Sequence, residues 1–295
     1  MKKGWTLLKS TFKEFGRDKA TRLAAALSYY TAISIAPMLI FLLLILGFLI
    51  GSNTAQNQLL TQIQEVVGPQ GSEFITGIIE NAQQPTTGGI AGVFSLLILI
   101  WGSTNVLAHL KETLNVVWNV KPKPDLGIMK NVRRRLLAFA LVIGLGLLLF
   151  VVVILGSVLS IIANFFTDLL PGGALLWQVI EYLVSFIIVT LVFAVLFKVL
   201  PDAETKWNDI WPGAALTALL FTLGRIALSI YLGMAAPGSA YGAAGSVIVF
   251  LLWVYYSSLI VFFGAEFTQV YANRYGSGIE PSDDAVYADQ PIPAD

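Results

Sequence analysis

A chain of 295 residues with 56% apolar and 12% charged side chains lies far from the soluble norm of about 45–50% and 25%. With a mean hydropathy of +0.76, it excludes a soluble enzyme and a disordered protein. Eighteen basic residues balance eighteen acidic ones, so no overall basic field argues for a nucleic-acid partner. The absence of Cys excludes disulfides, thiolate metal sites and a Cys nucleophile, and a single His excludes a His-rich metal site.

Residues 1–27 carry Lys2, Lys3, Lys9, Lys13, Arg17, Lys19 and Arg22. Trp5, Leu8, Phe12 and Phe15 recur at i, i+3, i+7 and i+10 among them, the pattern of an amphipathic helix lying on an anionic inner leaflet. Ordinary topological charge is the alternative. The apolar run that follows is too long for a signal peptide and has no clear cleavage site. It makes a first span at 28–50, in which Pro37 predicts a kink that serves as a hinge or a fixed bend.

The connection 51–89 exceeds a plain turn and reads as a helical hairpin on the periplasmic side. Leu59, Leu60, Ile63, Val66 and Val67 form one stripe, and Phe74, Ile75, Ile78 and Ile79 another. Gly68-Pro69 divides them and Ser72 is an expected N-cap. With Glu65, Glu73 and Glu80 and no cation, the hairpin is expected to rest on the outer membrane surface or to cap the bundle.

Further stretches long enough to cross a hydrocarbon layer of about 30 Å follow at 90–110, 136–163, 175–199, 211–232 and 244–270. Pro201 follows the fourth, Asn208 or Asp209 with Pro212 opens the fifth, and Pro237-Gly238 separates the fifth from the sixth. Trp101, Trp118, Trp177, Trp207, Trp211, Tyr231 and Tyr271 lie near span ends, as interfacial belts require. Seventeen of the eighteen Lys and Arg residues fall at 2–22, 111–135, 198–206 or 274. Basic residues flanking spans stay on the cytoplasmic side, so both termini are expected there. Residues 273–295, with Glu280, Asp283, Asp284, Asp289 and three prolines, read as a solvated, disordered acidic tail.

The eighteenth basic residue is Arg225, inside the fifth span, where it needs a partner or water. Thirteen residues after Pro212 it sits about 10 Å below the outer edge, and Glu181 on the antiparallel fourth span sits about 9 Å below it. We therefore expect Glu181 and Arg225 to face each other, with Gln178 one turn away. They form either a buried ion pair that sets helix register or a polar, outward-open cavity for a charged headgroup. Asn105, His109 and Glu112 share one helical face at the inner end of the second span, and Glu266 is placed to join them. Such a group can relay protons, or it is a helix end solvated by nearby water.

Small-residue spacings at Gly47/Gly51 and Gly88/Gly92 and the run 239–246 allow close helix approach. Asp202, Glu204 and Asp209 alternate with Lys198 and Lys206 in what reads as a solvated loop, so no metal site is expected. No P-loop, nucleophile elbow, zinc motif or Rossmann fingerprint occurs.

Four long motifs occur in order: LSYYTAISIAPMLIFLL (27–43), LLILIWGSTNVLAHLKETLNVVWNVKP (96–122), LPDAETKWNDIWPGAALTALLFTLGR (200–225) and the run 231–272 beginning YLGMAAPGSAYGAAGS. Over residues 12–272, leaving out the acidic tail, the chain resembles the YihY/BrkB family of bacterial inner-membrane proteins. That resemblance implies a transport or envelope-lipid role and transfers no catalytic residue. The family's frequent label, ribonuclease BN, finds no aqueous acid–base cluster here. The expectation is an all-α, polytopic protein of the inner membrane: an amphipathic segment 1–27, a six-helix membrane domain 28–272 and the tail. It is expected to be no enzyme and to use no cofactor. It is expected to contact membrane lipids and to move an amphiphilic or anionic solute without its own ATPase, or else to act as a non-transporting scaffold; a membrane-bound hydrolase ranks below both.

Overall fold

The computed structural model describes residues 2–82, 90–123, 173–235 and 244–288, with helical backbone also at 140, 143, 144 and 147. Within them lie eight helices and four short strands. In chain order these are α1 (Lys2–Arg17), α2 (Ala20–Ile50), α3 (Ser52–Val67), α4 (Pro69–Ala82), α5 (Ile90–Val117), β1 (Val120–Pro122), α6 (Gly173–Val199), β2 (Ala203–Glu204), α7 (Trp207–Ala235), α8 (Gly245–Tyr275), β3 (Glu280–Pro281) and β4 (Ala285–Tyr287).

Four helical stretches among the described residues are long and apolar enough to cross a membrane: Ala20–Ile50, Tyr182–Val199, Trp207–Leu232 and Gly245–Tyr275. They coincide with the first, fourth, fifth and sixth predicted spans. The second predicted span falls within α5, and the third lies largely outside the described residues. Large apolar side chains point outward, among them Phe48 at 92% exposure and Tyr182, Ile187, Leu223, Ile226 and Ile230. An exposed apolar belt of this extent is expected of a surface that meets lipid rather than water.

The first helical segment is shorter than predicted. α1 ends at Arg17, and Lys19 takes a left-handed conformation, φ 53°, that turns the chain into α2. α2 therefore begins at Ala20, not Ser28, and its 31 residues extend about 46 Å. It is helical through Pro37, whose ring sits against Gly102 of α5: a Cβ there would lie 2.6 Å from Pro37 Cγ. α1 buries Leu7 and Thr11 against the bundle while Trp5, 73% exposed, and Phe12 remain on its outer face. Phe12 and Phe15 also touch the ring of Phe263 on α8.

Helix α8 is the hub, packing against α1, α2, α4, α5 and α7. The α7–α8 contact is reciprocal. Thr217 and Thr268 each donate back to the carbonyl four residues earlier, that of Gly213 and Gly264 respectively. Each glycine faces the other helix's threonine: a Cβ on Gly213 would meet Thr268, and one on Gly264 would meet Thr217. These small-residue contacts, rather than Gly47/Gly51, bring two long helices together. Gly51 instead has φ 86° at the α2–α3 bend, and Gly47 faces Ser52 just beyond it. Gly88 and residues 239–243 lie outside the described residues.

The predicted hairpin is present as α3 and α4, joined at Gly68, whose φ of 83° suits glycine. Pro69 opens α4, so Ser72 is not its N-cap; its hydroxyl donates to the Pro69 carbonyl within the first turn. Leu59, Val67, Ile75 and Ile79 pack with Ile35, Leu39, Phe250 and Val254 into an apolar cluster. Each such buried side chain contributes about 1.5–3 kcal/mol relative to water. The hairpin therefore caps one end of the bundle.

At the other end the structure corrects three expectations. Through residue 288 the tail is not a solvated extension: β3 pairs antiparallel with β2 and β4 with β1, and Ile279 and Ala285 are buried; residues 289–295 lie outside the described residues. The 202–209 segment is only partly solvated: Asp202, Thr205 and Asp209 are buried, whereas Glu204 and Lys206 are exposed. Trp118, 1% exposed, lies in the core and donates through Nε1 to the Ala265 carbonyl, so it belongs to no interfacial belt. Buried polar groups persist when paired. Asp202 accepts from Asn115 at 2.9 Å and Lys111 at 2.7 Å, its own N–H donates to Asn115 Oδ1, and Ser282 N–H donates to its carbonyl. Asp209 accepts from both the N–H and the hydroxyl of Ser277 rather than capping α7. The two strand pairs are only two or three residues long, and the bonds from Ser282 to the Asp202 carbonyl and from Ser277 to the Asp209 carboxylate fix the tail beside β3.

Candidate functional site

Arg225 stands on α7 four residues before Ser229, one helical turn away on the same face. Both line a cavity of about 270 Å³ with Trp253 of α8 and with Val67 and Gly68 at the hairpin turn. Deeper between α7 and α8, Arg225 packs beside Phe221, Tyr256 and Ser257, where no space of water size remains. The residue is exposed rather than sealed in the core. This places a permanent positive charge in a recess whose wall is an indole and whose rim carries a hydroxyl, an arrangement suited to an anionic group with an apolar body. The side chains of Gln178 and Glu181 lie outside the described residues, so their predicted pairing with Arg225 does too.

Sequence spacing did not bring Trp253 or the hairpin turn to Arg225, because both arrive through tertiary packing. Ser229, at i+4, was the one signal readable along the chain. A second, larger groove of about 910 Å³ lies between α2, α4 and the start of α8, with Glu73 and Glu80 beside Phe74, Ile78 and Ile40.

The predicted inner polar group is divided by the structure. His109 stacks on Tyr30 of α2, ring centroids 3.5 Å apart at 12°, and its Nδ1 lies 3.4 Å from the exposed Glu112. Asn105 is half-buried one turn before it. Glu266 instead turns toward α1, where Asp18, Glu14 and Arg17 are the charged groups facing it. Arg17 is itself 2.9 Å from Glu14 and 3.4 Å from Asp18. Burial alone would lower the Arg17 pKa, but Glu14, Asp18 and Glu266 outweigh it and hold the guanidinium above its ordinary value. Beside this group an open cavity of about 620 Å³ is lined by Glu14, Arg17, Asn119, Gln269 and Arg274 and by Tyr287 of the tail. Among the described residues no cluster of three His, Asp or Glu side chains is arranged to hold a metal ion.

Comparison with known proteins covers nearly the whole fold. The family described as "Virulence factor BrkB" matches residues 11–287. The match therefore runs past residue 272, where the resemblance read from the sequence stopped, and includes the strands β3 and β4. A Bacillus subtilis (strain 168) protein, YfkH, whose name calls it ribonuclease-like, is 23% identical over 91% of this chain and 96% of its own length. A UPF0761 membrane protein of Alcanivorax borkumensis is 27% identical over 86% of this chain, and one of Rhodospirillum centenum is 26% identical over 86%. The chain spans only 57% and 54% of the length of those two relatives. No solved structure matches it. Taken with the apolar belt and the four long apolar helices, the match identifies this chain as a membrane protein of the BrkB family.

Proposed function

We propose that this protein moves an anionic amphiphile, such as a lipid with a phosphate-bearing headgroup, across the bacterial inner membrane without an ATPase of its own. The reading rests on one observation: Arg225 lines an open cavity against Trp253 and the hairpin turn, on a helix long and apolar enough to cross a membrane. An Arg at such a position is costly unless a protein group, water or an anion meets it, and the open side of the cavity leaves room for an anion. A guanidinium binds a phosphate through paired donors while the indole receives apolar carbon. Gln178 and Glu181, on the adjoining helix, complete the proposed substrate-binding group. Both termini lie in the cytoplasm in this reading, and the protein performs no covalent chemistry.

The test is movement of fluorescently labelled phosphatidylglycerol in vesicles of phosphatidylethanolamine and phosphatidylglycerol containing the full chain. Wild-type protein is expected to speed it and Arg225→Gln to abolish the gain at unchanged folding. A second reading, a non-transporting scaffold, is favoured by the reciprocal Gly–Thr contacts, which press α7 tightly against α8 at Gly213, Thr217, Gly264 and Thr268. No movement of any labelled anionic lipid by wild-type protein would decide for it.

A further inference from the structure

Of the described charged side chains, Glu266 is the most deeply buried, at 0% exposure. Among the described residues no donor reaches either of its carboxyl oxygens. Buried charges ordinarily persist only where they are paired or hydrogen-bonded. The charged groups facing Glu266 come from α1: Asp18, then Glu14, with Arg17 as the one cation. Arg17 is already engaged by Glu14 and Asp18. The Asp18 carboxyl faces that of Glu266 where α1 packs on α8. Two ionised carboxylates offer only acceptors, so this contact becomes a hydrogen bond only when one of them holds a proton.

The surroundings suit a proton that comes and goes. Glu14 and Arg17 form one wall of the 620 Å³ cavity, and Gln269, one turn beyond Glu266 on α8, forms another. Asp18 sits at the junction of α1 and α2, next to Lys19 with its left-handed backbone. A change in the bond between Asp18 and Glu266 therefore acts where α1 is hinged to the rest of the bundle.

We propose that Glu266 and Asp18 form a carboxyl pair that binds one exchangeable proton, taken from water in the adjoining cavity and returned to it. The ligand is the proton itself: one carboxylate becomes a carboxylic acid that donates to the other, and no further reactant is consumed. If the protein transports as proposed above, this pair supplies its coupling to a pH gradient; the site itself does not depend on that reading.

The experiment is infrared difference spectroscopy of the full-length protein in lipid nanodiscs, stepped between acidic and alkaline buffer in H₂O and D₂O. Wild-type protein is expected to show a protonated-carboxyl band that shifts in D₂O. Glu266→Gln and Asp18→Asn should each remove it, whereas Arg225→Gln should leave it intact. Glu266→Gln keeps the side-chain volume, and Asp18→Asn, at the edge of the bundle, gives an independent second reading. The band surviving in both variants, or its absence from wild-type protein across the whole range, overturns the proposal. A band present in a protein that moves no lipid leaves the proton site standing and removes the transport reading.

Discussion

Replacing Asp202 with Ala removes the carboxylate that ties the loop before α7 to Lys111 and Asn115 of α5. The variant loses the bond from Asn115 Nδ2 at 2.9 Å and the contact with Lys111 Nζ at 2.7 Å. The backbone bond from residue 202 to Asn115 Oδ1 remains, so the Asn115 amide keeps one partner and is left with one orphaned donor. Asn115 is buried, and an unsatisfied group there costs about 1–3 kcal/mol. The Lys111 and Asp202 side chains are 22% and 10% exposed, so water partly compensates the lysine, leaving about 1 kcal/mol from that pair. The sum is roughly 2–4 kcal/mol. At about 2–4 °C per kcal/mol for a chain of this size, Asp202→Ala should melt roughly 4–16 °C below wild type. Thermal unfolding in mild detergent, followed by intrinsic Trp fluorescence, reads this directly. Because the two partners share one interaction, the Lys111→Ala/Asp202→Ala double variant should be little worse than Asp202→Ala alone. An Asp202→Ala midpoint equal to wild type, or strictly additive single effects, would refute the network as a stabilising unit.

The other predictions concern packing. Gly264→Ala places a Cβ 2.9 Å from Thr217 Cβ, well inside the 3.5–4.0 Å optimum. Overpacking of about 1–3 kcal/mol should therefore outweigh or cancel the helix-propensity gain of about 1 kcal/mol. Adding Thr217→Gly should restore the close approach, so a Gly264→Ala variant more stable than wild type would count against it. Gly102→Ala, whose Cβ would lie 2.6 Å from Pro37 Cγ, should destabilise by a similar amount and be relieved by Pro37→Ala. No relief would mean that Pro37 is not seated on Gly102. Asp209→Ala withdraws the acceptor that holds Ser277, and the tail should open locally. Chymotryptic cleavage at Tyr287 should rise at least tenfold, which corresponds to about 1.4 kcal/mol, and an unchanged rate would contradict the assignment.

What the sequence revealed and what it hid follow from how local each signal is. The hairpin was legible because Gly68-Pro69 breaks a helix by backbone chemistry alone and because two apolar stripes flank it. The Ser72 cap was misplaced by four residues, because Pro69 already serves as the first helical residue and the cap position falls at Gly68. The tail was misread for the opposite reason: its composition is that of a solvated segment, and its order comes from partners about 80 and 165 residues distant. Asp202 looked like a loop carboxylate because Lys111 and Asn115 reach it only in the fold. Glu266 was grouped with His109 on span depth, yet its rotational position on α8 turns it toward α1. The Gly213/Thr217 and Gly264/Thr268 spacings were both present in the chain, but only the antiparallel docking of α7 on α8 makes each glycine the socket for the other's threonine.

The central claim is that the recess at Arg225 holds an anionic amphiphile, and native mass spectrometry of gently extracted protein tests it most directly. Wild-type protein should carry a bound acidic lipid or organic anion that Arg225→Gln loses, with the two proteins equally folded. The same molecule retained at the same occupancy in the variant, or a wild-type protein that comes out bare, would contradict it.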